Sequence, residues 1–311
     1  MGGIILKNIN IANGEIKATE IGLGCMRIAE LETNAAEKLI KTALDEGINF
    51  FDHADIYGRG KSEEVFAEAI NMNPSIREKI LIQTKCGIVP GIMYDYSKEH
   101  IINSVNASLK RLKTDYVDTL LLHRPDTLME PEEVAEAFSE LYASGKVKHF
   151  GVSNHNPMQI ELLNKYLNNK IVINQLQFSI MHTGMIDSGL NVNMKIDPSI
   201  DRDGSVLEYC RLKDITIQAW SPYQYGFFEG VFLDNDKFPV LNKKINELAE
   251  KKGVSNTAIA TAWILRHPAK IQTIVGTTNS NRLKDICKAS NIEITRQEWY
   301  EIYLAAGNEL P

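Results

Sequence analysis

Residues 117–123 read VDTLLLH, and this stretch decides the fold class. Its run of leucines places apolar side chains on both faces of an extended segment, as a parallel strand covered by helices requires. An amphipathic stretch typical of a helix, residues 131–144, follows it, and a second apolar run begins at Val147. This alternation predicts an α/β fold, because strand, helix and strand in succession form a parallel βαβ unit.

The same alternation extends in both directions along the chain. The predicted strands are residues 20–24, 48–52, 80–85, 117–123, 147–152, 171–176, 215–220 and 271–275. The predicted helices between and after them are residues 34–46, 61–71, 98–112, 131–144, 157–167, 205–213, 239–252 and 281–288. Eight strand–helix units predict a closed (β/α)₈ barrel, and an open doubly wound sheet is the alternative.

Four segments lie outside this repeat. Residues 4–17 hold two short apolar runs around Asn13-Gly14, which predicts an N-terminal β-hairpin. Residues 256–266 and 295–306 predict two extra helices, and residues 179–204 are polar and without a period, which predicts a long loop. No linker or low-complexity tract divides the chain, so we expect residues 1–311 to form a single domain.

The composition argues against nucleic-acid-binding and membrane proteins. The chain has 311 residues, with 34 Lys and Arg against 40 Asp and Glu and a net charge of −6. This mild acidity argues against a nucleic-acid or anionic-membrane partner, and no apolar run approaches the roughly 20 residues that span a bilayer. The N-terminal residues lack the features of a signal peptide. We therefore expect a cytoplasmic protein, a monomer or weak oligomer, that acts on a small molecule.

Cysteine spacing offers no metal or disulfide framework. The four cysteines are scattered and form no C-x-x-C pair: Cys25, Cys86, Cys210 and Cys287. Such a pattern is typical of small buried side chains in a reducing compartment.

Polar residues cluster where the predicted strands end, which is where barrels of this kind carry their chemistry. Asp52 ends the second strand and Tyr57 follows it closely, Lys85 ends the third, and His123 ends the fourth. A buried lysine beside a carboxylate keeps its ammonium charge, and that charge is expected to lower the pKa of a neighbouring phenol. Tyr57 would then donate a proton near neutral pH while His123 orients a carbonyl oxygen.

These four residues supply one half of a carbonyl reduction, and the hydride of the other half requires a nicotinamide cofactor. Each residue taken alone is more typical of a structural ion pair or a hydrogen-bonded core group than of a catalytic site. His53 and Asp55, taken with Asp52 and His123, leave open a metal-dependent hydrolase, although no second His stands at ligand spacing on the same strand. We expect no metal.

The second half of the chain holds the candidate cofactor groups. Residues 276–279, Gly-Thr-Thr-Asn, precede the last predicted barrel helix, where free N–H groups favour a phosphate, and Arg282 follows in the first turn. Trp220 could stack on a nicotinamide, and short polar groups at Ser153, Asn154 and Gln175 suit its carboxamide. Residues 22–24 lack the third glycine of a Rossmann fingerprint.

The motifs, in their order and spacing, resemble those of the aldo-keto reductases along nearly the whole chain. They are FDHADIYG (51–58), ILIQTKCG (80–87), LLLHRPD (120–126), GKVKHFGVSN (145–154), NQLQFS (174–179), AWSPYQYG (219–226) and IVGTTNSNRL (274–283). The HADIYG and HRPD motifs look most like a bacterial branch of the family. The resemblance implies a (β/α)₈ barrel closed at its bottom by the hairpin, and NADPH bound in an extended form.

The resemblance also implies a role for each site residue. Tyr57 is the general acid, Lys85 and Asp52 tune it, and His123 orients the substrate. The implied cofactor contacts are Gly24, Cys25, Met26, Ser153, Asn154, Gln175, Trp220, Ser221, Gly276, Thr277, Thr278 and Arg282.

One position departs from the family's pattern. Gly276 stands where many members have a lysine that binds the extra phosphate of NADPH, so NADH is a possible alternative cofactor. The aromatic-rich loop 221–238 is expected to fold over the pyrophosphate or to contribute to the substrate pocket. The expected function is NADPH-dependent reduction of an aldehyde or ketone. The alternative is a cofactor-binding redox sensor or regulatory barrel.

Overall fold

The computed structural model describes residues 6–310 and contains a closed barrel of eight parallel strands. Each strand pairs with the next one along the chain, and the eighth pairs with the first through Thr273 opposite Ile21. The barrel strands are Ile21–Gly24, Phe50–Asp52, Leu81–Cys86, Val117–Leu122, Val147–Ser153, Ile171–Gln177, Thr216–Trp220 and Gln272–Val275. The predicted (β/α)₈ barrel is confirmed, and the open sheet is excluded because the strand order closes on itself.

A helix follows every barrel strand. In chain order these helices are Thr33–Asp45, Lys61–Ala69, Lys98–Leu112, Pro131–Ala143, Pro157–Tyr166, Val206–Leu212, Pro239–Lys252 and Ser280–Cys287. The further helices are Pro74–Arg77, Gly184–Leu190, Asn256–Leu265 and Arg296–Ala305, and they include both predicted extra helices. In the part of the chain that the structure describes, no helix has the length and apolarity to cross a membrane.

The prediction that residues 179–204 form one long loop is wrong in the middle of that segment. Helix Gly184–Leu190 and a short 3₁₀ turn, Asp197–Ser199, lie within it. Met185 and Ile186 are buried, and the Tyr303 hydroxyl donates a hydrogen bond to Asp187 Oδ1 at 2.7 Å. Helix Gly184–Leu190 is too short to show a helical period of apolar residues in the sequence, and contacts with the C-terminal helix stabilise it.

A β-hairpin lies across the N-terminal end of the barrel. Its strands Asn8–Ile11 and Ile16–Thr19 are antiparallel, and Asn13 adopts the left-handed φ of 56° that the Asn-Gly turn predicts. The hairpin's apolar side chains form one buried cluster with residues inside the barrel: Ile9, Ile11, Ala12, Ile16, Ala18, Phe50, Leu121, Ile173 and Ile274. The predicted hairpin is confirmed, except that residues 4 and 5 lie outside the described residues.

Above this cluster a chain of buried amides crosses the barrel interior, where branched apolar side chains are more usual. We call it the glutamine layer: Gln83, Gln175, Gln218 and Gln272. Gln272 donates to the Thr19 carbonyl at 2.8 Å, and Gln218 donates to Gln272 at 2.8 Å. Gln83 and Gln175 donate to Gln218 Oε1 at 2.8 and 3.0 Å, and both also donate to Asp52 Oδ1, at 2.6 and 3.0 Å. The glutamine layer therefore connects the hairpin residue Thr19 to Asp52. Each of its four side-chain amides donates hydrogen bonds within this connection.

Replacing Gln83 with Leu is expected to lower the free energy of unfolding by about 1–3 kcal/mol. Asp52 would lose a donor, and the Thr119 hydroxyl would lose its acceptor, which now lies 3.0 Å away. Urea unfolding measures the change. Exposed Gln297, whose amide donates to Glu301 at 2.9 Å, provides the control variant Gln297→Leu. Equal effects of the two substitutions would contradict a stabilising role for the layer.

Candidate active site

The predicted catalytic side chains meet at the C-terminal end of the barrel. Asp52 ends the second strand, Lys85 lies near the end of the third, and His123 follows the fourth. Tyr57 lies in a tight turn after the second strand. Gly58 has φ of 57° there, and a Cβ at this position would lie 2.7 Å from Ala29 Cβ. The turn therefore requires glycine directly after Tyr57.

Lys85 is the centre of the group. Its ammonium is fully buried and donates to Asp52 Oδ2 at 2.8 Å, to the His53 carbonyl at 2.8 Å and to the Tyr57 hydroxyl at 3.2 Å. Burial alone would lower the pKa of Lys85, but Asp52 and Tyr57 raise it above its ordinary value. A permanent positive charge therefore lies beside the phenol.

The expected lowering of the Tyr57 pKa is wrong for this arrangement. Burial raises the pKa of Tyr57 above its ordinary value, and the positive charge of Lys85 offsets only part of that effect. Removing the phenol from water penalises the phenolate more than one cation, itself paired with Asp52, can compensate. Tyr57 therefore holds its proton at neutral pH, as a proton donor must.

His123 lies edge-on to Tyr57, with the ring centroids 5.9 Å apart. Burial, followed by the charges of Lys85 and Arg124, lowers the pKa of His123 well below its ordinary value. The imidazole is therefore neutral at neutral pH. Its buried Nδ1 has no hydrogen-bond partner within residues 6–310, and another part of the ring lines the cleft described below.

The two additional residues of the metal alternative, His53 and Asp55, are both largely buried. His53 is fully buried against the edge of Phe66, with centroids 4.5 Å apart, and burial lowers its pKa to about 3. Burial, and then the neighbouring Glu63, raise the pKa of Asp55 to about 7. Among the described residues, no group of three or more His, Cys, Asp or Glu side chains is placed to hold a metal ion. This geometry offers the metal-dependent hydrolase no support.

A cleft of about 1220 Å³ opens above these residues. The predicted catalytic residues on its wall are Asp52, Tyr57 and His123, whereas Lys85 lies beneath it. The predicted cofactor residues on the wall are Gly24, Met26, Ser153, Asn154, Gln175, Trp220, Ser221, Gly276, Thr277 and Arg282. Cys25 is fully buried with its thiol directed at the Leu23 carbonyl, and Thr278 is exposed away from the lining. The structure places neither of those two side chains on the cleft.

The four residues predicted to contact the carboxamide and the ring form one hydrogen-bonded edge of the cleft. Trp220 Nε1 donates to Asn154 Oδ1 at 3.0 Å, and Asn154 Nδ2 donates to Ser153 Oγ at 2.8 Å. The Ser153 hydroxyl donates to the Gln175 carbonyl at 2.9 Å. These contacts fix the indole beside a row of polar groups.

The last barrel helix begins at the other end of the cleft. Asn279 caps Ser280–Cys287 by accepting hydrogen bonds from the backbone of Asn281 and Arg282 at 2.9 and 3.0 Å. A second arginine, Arg27, reaches across from the loop after the first strand and donates to the Gly276 carbonyl, with Nε 3.1 Å away. Two guanidinium groups therefore line this end of the cleft.

The chain matches the sequence profile of the Aldo/keto reductase family over residues 20–305. The chain belongs to this family. It is 36% identical to a 6-dehydroglucose reductase of Agrobacterium fabrum, with 95% of this chain and 97% of the relative covered. It is also 36% identical to an uncharacterized oxidoreductase of Bacillus subtilis over 98% of this chain and all of the relative.

Solved structures have the same fold. A thermostable aldo-keto reductase crystallised with the inhibitor epalrestat superimposes with a TM-score of 0.78 at 25% identity, covering 96% of this chain and 99% of that one. An aldo-keto reductase of Klebsiella pneumoniae in complex with NADPH superimposes with a TM-score of 0.77 at 22% identity, covering 96% and 94%. The similarity to the Klebsiella pneumoniae structure shows a shared fold alone.

Arg27 lines the cleft of this aldo/keto reductase but is absent from the site residues that the sequence predicted. Its guanidinium lies over Gly276, the position at which the family resemblance implied a lysine in many members. The sequence does place this basic residue three positions after the end of the first strand, at the C-terminal end of the barrel, where it could have been predicted to line the site. Its contact with the loop after the eighth strand appears only in the tertiary structure.

The aromatic-rich loop of this aldo/keto reductase forms part of the cleft beside Trp220. The Phe228 ring stacks at a centroid distance of 5.9 Å from Trp220, and Phe227 packs edge-on against Phe228 at 4.8 Å. Both phenylalanines are more than half exposed, at 66% for Phe227 and 51% for Phe228. Their exposed faces extend the apolar wall of the cleft.

Proposed function

We propose that this aldo/keto reductase reduces an aldehyde or ketone to an alcohol with NADPH. The observation that carries the proposal is the buried Asp52–Lys85 pair, whose ammonium lies 3.2 Å from the Tyr57 hydroxyl below an open cleft. A protonated phenol held beside a cation can give its proton to an oxygen that is gaining negative charge.

The lining of the cleft fits the proposed cofactor. Hydroxyl and amide groups beside Trp220 suit a carboxamide and a flat ring, and the opposite end offers Arg27, Arg282 and a helix N-terminus for phosphates. When bound, the nicotinamide supplies a hydride. The mild negative charge of the chain makes these local groups the main source of phosphate affinity.

Each catalytic residue has a distinct task in this proposal. Tyr57 donates a proton to the substrate's carbonyl oxygen, and Lys85 stabilises the phenolate that remains. Asp52 holds the Lys85 ammonium in place and keeps it charged. Neutral His123 donates an N–H to the same carbonyl oxygen and so orients it.

Arg282→Ala is expected to raise the Kd of NADPH at least about tenfold, and that of NADH far less. The planar guanidinium fits the extra phosphate, which NADH lacks. Fluorescence titration with each nucleotide measures both constants. Lys284→Ala, on the same helix but away from the cleft, is the matched control. An equal loss for both nucleotides would mean that Arg282 does not contact the extra phosphate.

The loss of NADPH absorbance with a panel of carbonyl compounds tests the proposal. The panel should include alkyl aldehydes, hydroxyaldehydes and a sugar oxidised at its terminal carbon, because two relatives are 6-dehydroglucose reductases. We expect turnover on at least one class. Tight nucleotide binding without turnover on any compound would instead favour the redox-sensor alternative.

A further inference from the structure

Arg124 directly follows His123, and its backbone is held firmly at the edge of the active site. Its carbonyl accepts a hydrogen bond from the hydroxyl of buried Tyr96. The nearby Asp126 carboxylate accepts from the backbone of Tyr96 at 3.1 Å and of Leu128 at 2.9 Å. Asp126 therefore braces this turn and makes no ion pair with Arg124 within the described residues.

The Arg124 side chain extends into the cleft between aromatic rings. Its Cζ lies 5.9 Å from the centroid of Trp220 and 5.9 Å from that of Phe227. The residue is half-buried, and within residues 6–310 its guanidinium donates no hydrogen bond to another protein group. By contrast, half-exposed and buried arginines elsewhere are paired, as Arg77 is with Asp118 at 2.6 Å and Arg111 with Glu63 at 2.7 Å.

The guanidinium of arginine is a planar fork of N–H donors. When it is partly removed from water, two acceptor oxygens of a single group can stabilise it. The cofactor phosphates are assigned to Arg27 and Arg282, which line the cleft around Gly276, whereas Arg124 adjoins His123. Arg124 therefore faces the part of the cleft left to the substrate.

We propose that Arg124 determines substrate specificity by binding a pair of oxygens, either a carboxylate or two vicinal hydroxyls, on a carbonyl substrate whose carbon chain lies against Phe227. This inference rests on the proposed function and names the class of compound that the same site takes. An alkyl aldehyde of similar size offers Arg124 no partner.

The test compares Arg124→Met and Arg124→Lys with the wild-type enzyme on three aldehydes, with NADPH as the reductant. Succinic semialdehyde carries a carboxylate, D-glyceraldehyde carries vicinal hydroxyls, and butanal carries neither. In Arg124→Met, the kcat/KM of an oxygenated aldehyde relative to that of butanal is expected to fall at least about tenfold. Arg124→Lys keeps the charge but lacks the fork, so it should recover part of the ratio for the carboxylate only.

The outcomes separate the possibilities. A fall for succinic semialdehyde alone supports a carboxylate, and a fall for D-glyceraldehyde alone supports a hydroxyl pair. Unchanged ratios in Arg124→Met, with or without a general loss of activity, would overturn the specificity role while leaving the proposed function intact. No reduction of any aldehyde in the wider panel by the wild-type enzyme would overturn both. Arg296→Met, on the exposed side of the C-terminal helix, is the control for nonspecific effects of losing an arginine.

Discussion

Tyr57→Phe is expected to lower kcat for carbonyl reduction by about 10²- to 10⁴-fold and to leave the affinity for NADPH nearly unchanged. The substitution removes only the hydroxyl that lies 3.2 Å from the Lys85 ammonium. The ring, and its edge contact with His123, remain. Steady-state turnover and fluorescence titration of the nucleotide measure the two effects separately.

The matched control for this variant is Tyr142→Phe, in which an exposed tyrosine loses its hydroxyl. It should not alter turnover. If Tyr57→Phe retained wild-type kcat, Tyr57 would not be the acid. If it lost nucleotide affinity to the same extent as turnover, the hydroxyl would act in binding rather than in proton transfer.

Lys85→Met is expected to abolish activity and to destabilise the fold by about 3–5 kcal/mol. The loss of the ammonium leaves Asp52, which is 3% exposed, as a buried charge whose remaining side-chain donors among residues 6–310 are the amides of Gln83 and Gln175. It also removes the cation that stabilises the phenolate of Tyr57. Urea unfolding and turnover with the best aldehyde of the panel give the two quantities.

The double variant Lys85→Met/Asp52→Asn separates the structural part of this effect from the catalytic part. Removing both charges should restore much of the free energy of unfolding, because no unpaired ion is left in the interior, but should restore no activity. Recovery of turnover in the double variant would show that the pair serves only the fold. Lys98→Met breaks an exposed ion pair with Glu136 and should change stability by less than about 1 kcal/mol.

Much of the fold could be predicted because local and global patterns agree. Apolar runs without alternation predict strands covered on both faces, and each was followed by an amphipathic helix, so eight such units could close into a barrel. The parallel direction of the strands then placed Asp52, Lys85 and His123 at one end. Helix Gly184–Leu190 was missed because its stability comes from contacts with the C-terminal helix, which no local pattern records.

The electrostatic state of the site could not be predicted in the same way. The sequence correctly predicted a lysine near a tyrosine. The sign of the change in the Tyr57 pKa, however, depends on whether the rise caused by burial is larger than the fall caused by the charge of Lys85. The glutamine layer was equally hidden. Its members lie on four strands, and only their distances show that two amides donate to Asp52.

By itself the sequence determined the barrel, the end of it at which the candidate catalytic residues meet, and the residue types gathered there. Each of these follows from the order of residues along one strand and the turn after it. Only the tertiary structure decided which charges are paired. Lys85 meets Asp52, Arg27 reaches the loop after the eighth strand, and Arg124 is left facing the cleft. The physical reason is that electrostatic and hydrogen-bond energies depend on distance and burial, which residues far apart in the chain acquire only when the barrel closes.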